Sequence, residues 1–209
     1  GSEEYINIFN IPLDEDNGEI FVNDILIRRF LVYDLYGKFK RSFNHKEDTK
    51  AAAYRSVFNY DRDNLICYDS YNEEIAFVLI SKQDGSITKE IKIPFKEKKL
   101  LQQRKQDGEN TFTVSPGPYR TIIPFKGDWM LLEFSSDTVY SLLPDYSFRP
   151  FLVRTPPIES MDPEVFLLLR FLSDRYIFME TIKNVFDWTA DSGFPKTFLM
   201  YDTQEKAFL

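Results

Sequence analysis

Four acids recur at the ends of short apolar runs in this 209-residue chain. Asp24 closes EIFVND, Asp69 closes NLICYD, Glu133 closes DWMLLE and Glu180 closes RYIFME. Carboxylates gathered in a ring suit glycoside hydrolysis, and they also ligate hard cations. At strand ends they have a plainer use, accepting hydrogen bonds from backbone N–H groups of the following turn. Repetition in every unit favours that structural role, because an active site is rarely duplicated four-fold. A second set combines aromatic faces with guanidinium groups. Tyr5, Tyr54, Tyr119 and Phe166 stand at equivalent positions one segment upstream, and Arg55 and Arg120 follow two of them. Such groups suit a sugar, a carboxylate or a peptide terminus. The alternative is that the rings pack between units while the arginines pair with neighbouring acids.

Other candidates are weaker. LDEDNGE resembles a calcium loop, but the twelfth position from Asp14 is Ile25 rather than Glu, so an acidic turn is expected. Lys96 to Gln106 carries five Lys or Arg against Glu97, with Leu100 and Leu101 as anchors. It reads as a short helix near 96–107, either solvated and packed on the domain or touching a membrane surface or an acidic partner. His45, in the polar NHKED stretch, reads as a surface imidazole, and Cys67, inside an apolar strand, as an inert buried thiol. No P-loop, dinucleotide fingerprint, zincin helix, CxxC or nucleophile elbow is present, so no cofactor, metal site or catalytic residue is assigned.

These residues are positioned by a repeat. Each acid-terminated hexamer is an apolar run bounded by polar residues, the pattern of a strand covered on both faces. A further strand follows each one (FLVYD, IAFVLI, DTVYSLL, TFLMYD), then a turn (LYGK, KQDG, PDYS, TQEK) and another strand. YINIFN, YRSVFN, YRTIIP and FLLLRF precede the hexamers. Taking Phe21, Ile66, Met130 and Ile177 as equivalent gives intervals of 45, 64 and 47 residues. The long interval contains KEKKLLQQRKQDGENTFTVSPG, an insertion of roughly twenty residues, without which the period returns to the mid-forties of a four-stranded propeller blade. The fold expected is all-β, a single β-propeller domain over 1–209. Its blades fall near 3–48, 52–95, 117–157 and 163–209, with inserts at 96–116 and 183–196.

Composition agrees. Aromatic residues make up 16%, with 20 Phe and 12 Tyr, which favours pleated surfaces. A net charge of −7 argues against nucleic acid, which requires a basic footprint. One Cys excludes an internal disulfide and one His excludes most zinc sites. No apolar run is long enough to span a bilayer as a helix.

With the repeats laid out, the chain resembles a family of six-bladed β-propeller lipoproteins from gut Bacteroidetes. The segments that carry the resemblance are SEEY, LDEDNGEIFVND, NLICYDSYNEEIAFVLISKQDGSITKEIKIPF, SPGPYRTIIPF, SSDTVYSLLPDYSFRPFLVRTPPIESMDPEVFLL and GFPKTFLMYDTQEKA. The resemblance implies a fold and a periplasmic or outer-membrane setting, and brings no established activity. It also implies longer relatives, so about four of six blades are expected here, and the closing KAFL reads as a break inside a strand. Missing flanking sequence, self-association through open strand edges, or an open arc would follow. Ala51–Ala53 depart from the larger residues usual in the family. Three functions stay open: a non-catalytic binding module for a glycan, peptide or protein partner; a glycan hydrolase or lyase using axial carboxylate, Tyr and Arg residues; and a structural subunit.

Overall fold

The computed structural model describes residues 8–45, 54–117 and 119–209. Tyr5 and Ala51–Ala53 lie outside them. The chain divides into two compact units, residues 1–94 and 95–209.

The first unit holds two antiparallel sheets. In the first, an interrupted inner strand, β1 (Ile8–Asn10) and β2 (Leu13–Asp14), pairs with β3 (Glu19–Asp24), followed by β4 (Arg29–Asp34) and β5 (Phe39–Asn44). Pro12 has no N–H to give the ladder, so the strand breaks there, although the Pro12 carbonyl still accepts from Phe21 N at 3.0 Å. The second sheet runs β6 (Tyr54–Asn59), β7 (Asn64–Asp69), β8 (Phe77–Ser81) and β9 (Ile87–Ile91). Phe21, Phe30, Val32 and Phe43 of the first sheet form one core with Tyr54, Leu65, Cys67, Val78 and Ile80 of the second. Each fully buried large side chain there contributes roughly 1.5–3 kcal/mol.

The second unit begins with the basic segment, which is not a helix. Residues 103–107 and 110–114 form a two-stranded hairpin, β10 (Gln103–Asp107) and β11 (Asn110–Val114). Lys, Gln and Arg are good helix formers, but Gly108 at φ +60° opens a tight hairpin turn, and local pairing across it overrides propensity. Among the described residues the helical structure is a single 3-10 turn, Ile158–Ser160. The third sheet runs β12 (Ile122–Phe125), β13 (Asp128–Leu131), β14 (Thr138–Leu142) and β15 (Phe148–Val153). The fourth starts with β16 (Val165–Leu172) and β17 (Tyr176–Lys183). A small hairpin, β18 (Phe186–Asp187) and β19 (Ser192–Gly193), then interrupts it before β20 (Lys196–Asp202) and β21 (Ala207–Phe208) complete it. Leu101, Met130, Leu132 and Val139 share a core with Leu168, Leu169, Met179 and Ile182.

The hairpin registers correct the repeat alignment. Each second strand begins opposite the residue that opens the next turn: Glu19 faces Asp34, Asn64 faces Ser81 and Tyr176 faces Asp202. In the third sheet Trp129 faces Leu142, and Leu143 opens the turn as Asp34 does, donating its N–H to Ser147 O at 2.8 Å. Counted from these starts, Phe21, Ile66 and Met130 are equivalent to Phe178, not Ile177. The fourth counterpart of Asp24, Asp69 and Glu133 is Thr181, and Glu180 lies in mid-strand opposite Leu168 and Phe198. RYIFME is apolar on both faces, so nothing in its pattern pins the register, and a one-residue slip exchanges the faces.

Candidate functional site

First strands carry Tyr54, Arg55, Phe166 and Arg170, whereas Tyr119 and Arg120 lie just before β12, and two of these first strands bulge at an arginine. Tyr54 pairs with Asp69 and Ser56 with Tyr68, leaving Arg55 unpaired between them. Leu169 pairs with Met179 and Phe171 with Phe178, leaving Arg170 in the same situation. A bulge re-aims the extra side chain out of the regular alternation. In both cases the guanidinium comes to rest over a tyrosine, Arg55 at 5.2 Å from the Tyr71 ring centre and Arg170 at 5.4 Å from that of Tyr119. The geometry is that of a cation–π contact.

The two pairs are held by acids. Asp69 Oδ1 accepts the Tyr71 N–H at 3.0 Å, shaping the turn that presents Tyr71, whose hydroxyl then accepts from Arg55 Nη2 at 2.7 Å. Glu180, fully buried, binds Arg170 Nε through Oε2, and Lys196 Nζ stands 3.1 Å from Oε1. Burial works to raise the Glu180 carboxyl, but Arg170 and Lys196 outweigh it and hold it below the usual carboxylate range. Burial and the Glu180 charge push the Tyr119 phenol up, against the opposing effect of Arg170. Glu180, Arg170 and Lys196 line an open surface hollow of about 840 Å³ whose other walls include Phe171, Phe178 and Phe198.

Among the described residues, the other expected ones have packing or turn partners of their own, Arg120 apart. Tyr54 is buried against the rings of Phe30 and His45, at 6.5 and 4.7 Å, and belongs to the core of the first unit. Tyr119 and the buried Phe166 both meet Phe134 edge-on, at 5.9 and 6.0 Å. Arg120 is exposed. Asp24 accepts Leu26 N at 3.2 Å; Glu133 accepts Ser135 N at 3.0 Å and also binds Lys98 at 2.8 Å. Through Lys98 and the buried Leu101 the basic segment is anchored in the second unit.

His45 is not a surface residue: it is 3% exposed, with Nε2 2.9 Å from Asn23 Oδ1. Cys67 is fully buried, and burial pushes its thiol well up. The LDEDNGE turn spends its first carboxylate on the protein itself, since Asp14 binds Lys82 at 2.5 Å and Asn17 at 2.9 Å. Among the described residues no group of three His, Cys, Asp or Glu side chains converges as a metal site. No helix among them is long and apolar enough to cross a membrane. Arg170 and Lys196 were missed in the sequence because the signal is a bulge and a diagonal cross-strand pair, neither of which has a residue pattern.

Comparison with solved structures gives a fold likeness. A Bacteroides fragilis protein described as a candidate exported protein superposes with a TM-score of 0.64 at 14% identity, over 98% of this chain and 58% of the other. A DUF4221 family member from Bacteroides vulgatus superposes with a TM-score of 0.62 at 11% identity, over 100% of this chain and 67% of the other. The chain thus spans about three fifths to two thirds of these neighbours. No functionally curated protein matches it. The sequence does match the family described as DUF5128, 6-bladed beta-propeller, over residues 1–209. The chain belongs to the DUF5128 family of six-bladed β-propellers.

Proposed function

We propose that the chain is a non-catalytic, envelope-associated binding module that recognises an anionic ligand through arginines raised on the first strands of its sheets. The observation that carries this reading is the repeated device: Arg55 and Arg170 each occupy a first-strand bulge, and each places its guanidinium within 5.4 Å of a tyrosine ring centre. Stacking on a ring restrains a guanidinium while leaving its edge for bidentate contact with a carboxylate. The chain's net charge of −7 repels anions at long range, so recognition rests on these local cations within a Debye length of about 8–10 Å.

The nearby titratable groups support binding rather than glycan hydrolysis. A general acid needs a raised carboxyl, and Glu180 is shifted the other way. The envelope setting draws support from the Bacteroides fragilis neighbour described as a candidate exported protein.

Calorimetric titration with uronate oligosaccharides, acidic peptides and their neutral counterparts tests the reading. Acidic ligands bind, neutral ones do not, and Arg55→Ala and Arg170→Ala each weaken binding about ten-fold or more. Equal binding of charged and neutral ligands, or indifference to both substitutions, overturns it.

A further inference from the structure

The turn between β2 and β3 contains a reactive dipeptide. Of the chain's ten asparagines, Asn17 alone precedes a glycine. A backbone nitrogen can attack the side-chain amide of the residue before it, and glycine obstructs that attack least because it has no Cβ. Gly18 has a φ of +62°, and nothing lies within 4 Å of where a Cβ would stand, so the space beside the attacking nitrogen is open. Its N–H is held only loosely, by the Glu15 carbonyl at 3.4 Å. Asn17 is exposed to the water that completes the reaction.

The same amide ties two sheets together. Asn17 Nδ2 donates to Asp14 Oδ2, at the end of β2, and to the Arg62 carbonyl, in the turn before β7, each at 2.9 Å. Lys82 Nζ, just after β8, reaches the same two acceptors at 2.5 and 3.2 Å. One pair of oxygens is thus shared between an exposed amide and a buried ammonium.

We infer that Asn17–Gly18 is a self-modifying site, and that its deamidation unties the first two sheets at this contact. The Gly18 nitrogen gives up its proton to solvent and bonds to Asn17 Cγ; the Cγ–Nδ2 bond breaks and ammonia leaves, closing a five-membered succinimide. Water then opens the ring at either carbonyl, giving aspartate or isoaspartate. Water enters, ammonia leaves, and no oxidant or reductant is needed. The leaving nitrogen is the atom that makes both hydrogen bonds, so the amide is released to react only when the contact opens. Closure is then opposed. A carboxylate at 17 sets oxygen against Asp14 Oδ2 and the Arg62 carbonyl, replacing two attractions by two repulsions. Isoaspartate also lengthens the backbone of the turn by a methylene. The site therefore acts as a one-way record of how often the contact opens. The inference is independent of the proposed anionic ligand, which concerns Arg55 and Arg170.

Mass spectrometry of the peptide containing Asn17, after incubation at mildly alkaline pH, tests it. A synthetic IPLDEDNGEIFV peptide sets the rate for an unheld amide. The folded chain converts at Asn17 at least ~10-fold more slowly than the peptide, and Lys82→Met, which loosens the shared acceptors, moves its rate toward the peptide's. Urea below the unfolding midpoint does the same in the parent chain, which covers a Lys82→Met variant that fails to fold. Asn17→Asp, standing for the product, lowers the melting temperature by at least about 2 °C. Conversion of the folded chain at the peptide's rate overturns the inference. So does a rate that neither Lys82→Met nor urea raises, or an Asn17→Asp chain that melts as the parent does.

Discussion

Lys82 Nζ lies 2.5 Å from Asp14 Oδ2, and the two side chains, 2% and 1% exposed, tie the second sheet of the first unit to the inner strand of the first. The ammonium is further satisfied by the carbonyls of Asp61 at 2.6 Å and Arg62 at 3.2 Å. The Asn17 backbone N–H donates to the other carboxylate oxygen, Oδ1, at 3.2 Å, while its Nδ2 donates to Oδ2 and to the Arg62 carbonyl, each at 2.9 Å. A charge taken this far out of water is tolerated only because its partners are complete.

Removing one partner should therefore cost more than removing both. Lys82→Met leaves the Asp14 carboxylate buried without its cation and is expected to destabilise the chain by about 3–5 kcal/mol. Asp14→Asn combined with Lys82→Met should recover a large part of that loss, since no uncompensated charge remains. A double-mutant cycle read by denaturant unfolding measures both. Additive effects of the two substitutions would show that the pair is not coupled.

Acid should undo the same contacts. Burial raises the Asp14 carboxyl, but its hydrogen bonds from Lys82 and Asn17 prevail and hold it below its ordinary 3.8. Glu19 is held below its ordinary 4.5 chiefly by Arg41, at 2.6 and 2.8 Å, against burial and with help from Lys40. Glu180 is lowered in the same direction. A carboxylate whose folded value is depressed stabilises the fold above its unfolded value, and that stability drains away as pH falls through the folded one. The melting temperature should be level above about pH 5 and fall steadily below it. The Asp14→Asn, Lys82→Met variant should show a shallower acid limb, as measured by scanning calorimetry.

How much of this was legible in the sequence depended on whether the determinant was local. EIFVND and NLICYD coincide with β3 and β7 because polar residues bound each apolar run. RYIFME was misaligned by one residue because its register is set by the turn after Asp202, not by its own pattern. The helix expected at 96–107 followed from propensity, which the Gly108 turn overrode. The burial of His45 and the Asp14–Lys82 contact, 68 residues apart in sequence, arise from packing between sheets and leave no periodic trace. For the site, the arginine at 55 was visible beside its tyrosine, but its ring partner, Tyr71, was not. The Arg–Tyr pairing comes from a bulge, and only hydrogen-bond register reveals a bulge.

Glycine positions give a cleaner steric test. Gly85 and Gly37 have φ of +74° and +82°, so a side chain is strained at either. At Gly85 an added Cβ would also stand 2.7 Å from Phe43 Cδ2 and 2.8 Å from the Asn44 carbonyl oxygen, whereas nothing lies within 4 Å at Gly37. Gly37→Ala should cost about 1–2 kcal/mol from backbone strain alone. Gly85→Ala should exceed it by at least about 1 kcal/mol, because the backbone of β5 must shift away. Equal losses in chemical denaturation would mean that the two sheets yield at this contact.

The Arg55–Tyr71 pair separates recognition from stability. Arg55 is exposed and bulged, so Arg55→Ala should leave the melting temperature within about 1 °C of the parent, a surface change being worth at most about 0.5 kcal/mol. Its effect should fall on ligand affinity instead. Arg55→Lys should not rescue binding, because an ammonium neither lies flat on the Tyr71 ring nor forks around a carboxylate. Tyr71→Phe keeps the ring face but removes the hydroxyl that accepts from Arg55 at 2.7 Å, so the guanidinium should be less well held and affinity should drop only a few-fold. Asp69→Ala, which releases the Tyr71 turn, should weaken binding more than Tyr71→Phe does. Affinity of the parent chain for an acidic oligosaccharide should also fall as salt rises, and less steeply in Arg55→Ala. Calorimetric titration across this series, with thermal melts on the same samples, would reject the assignment if Arg55→Lys bound as the parent does. A salt dependence unchanged in Arg55→Ala would reject it equally, since the guanidinium would then carry none of the ligand's charge.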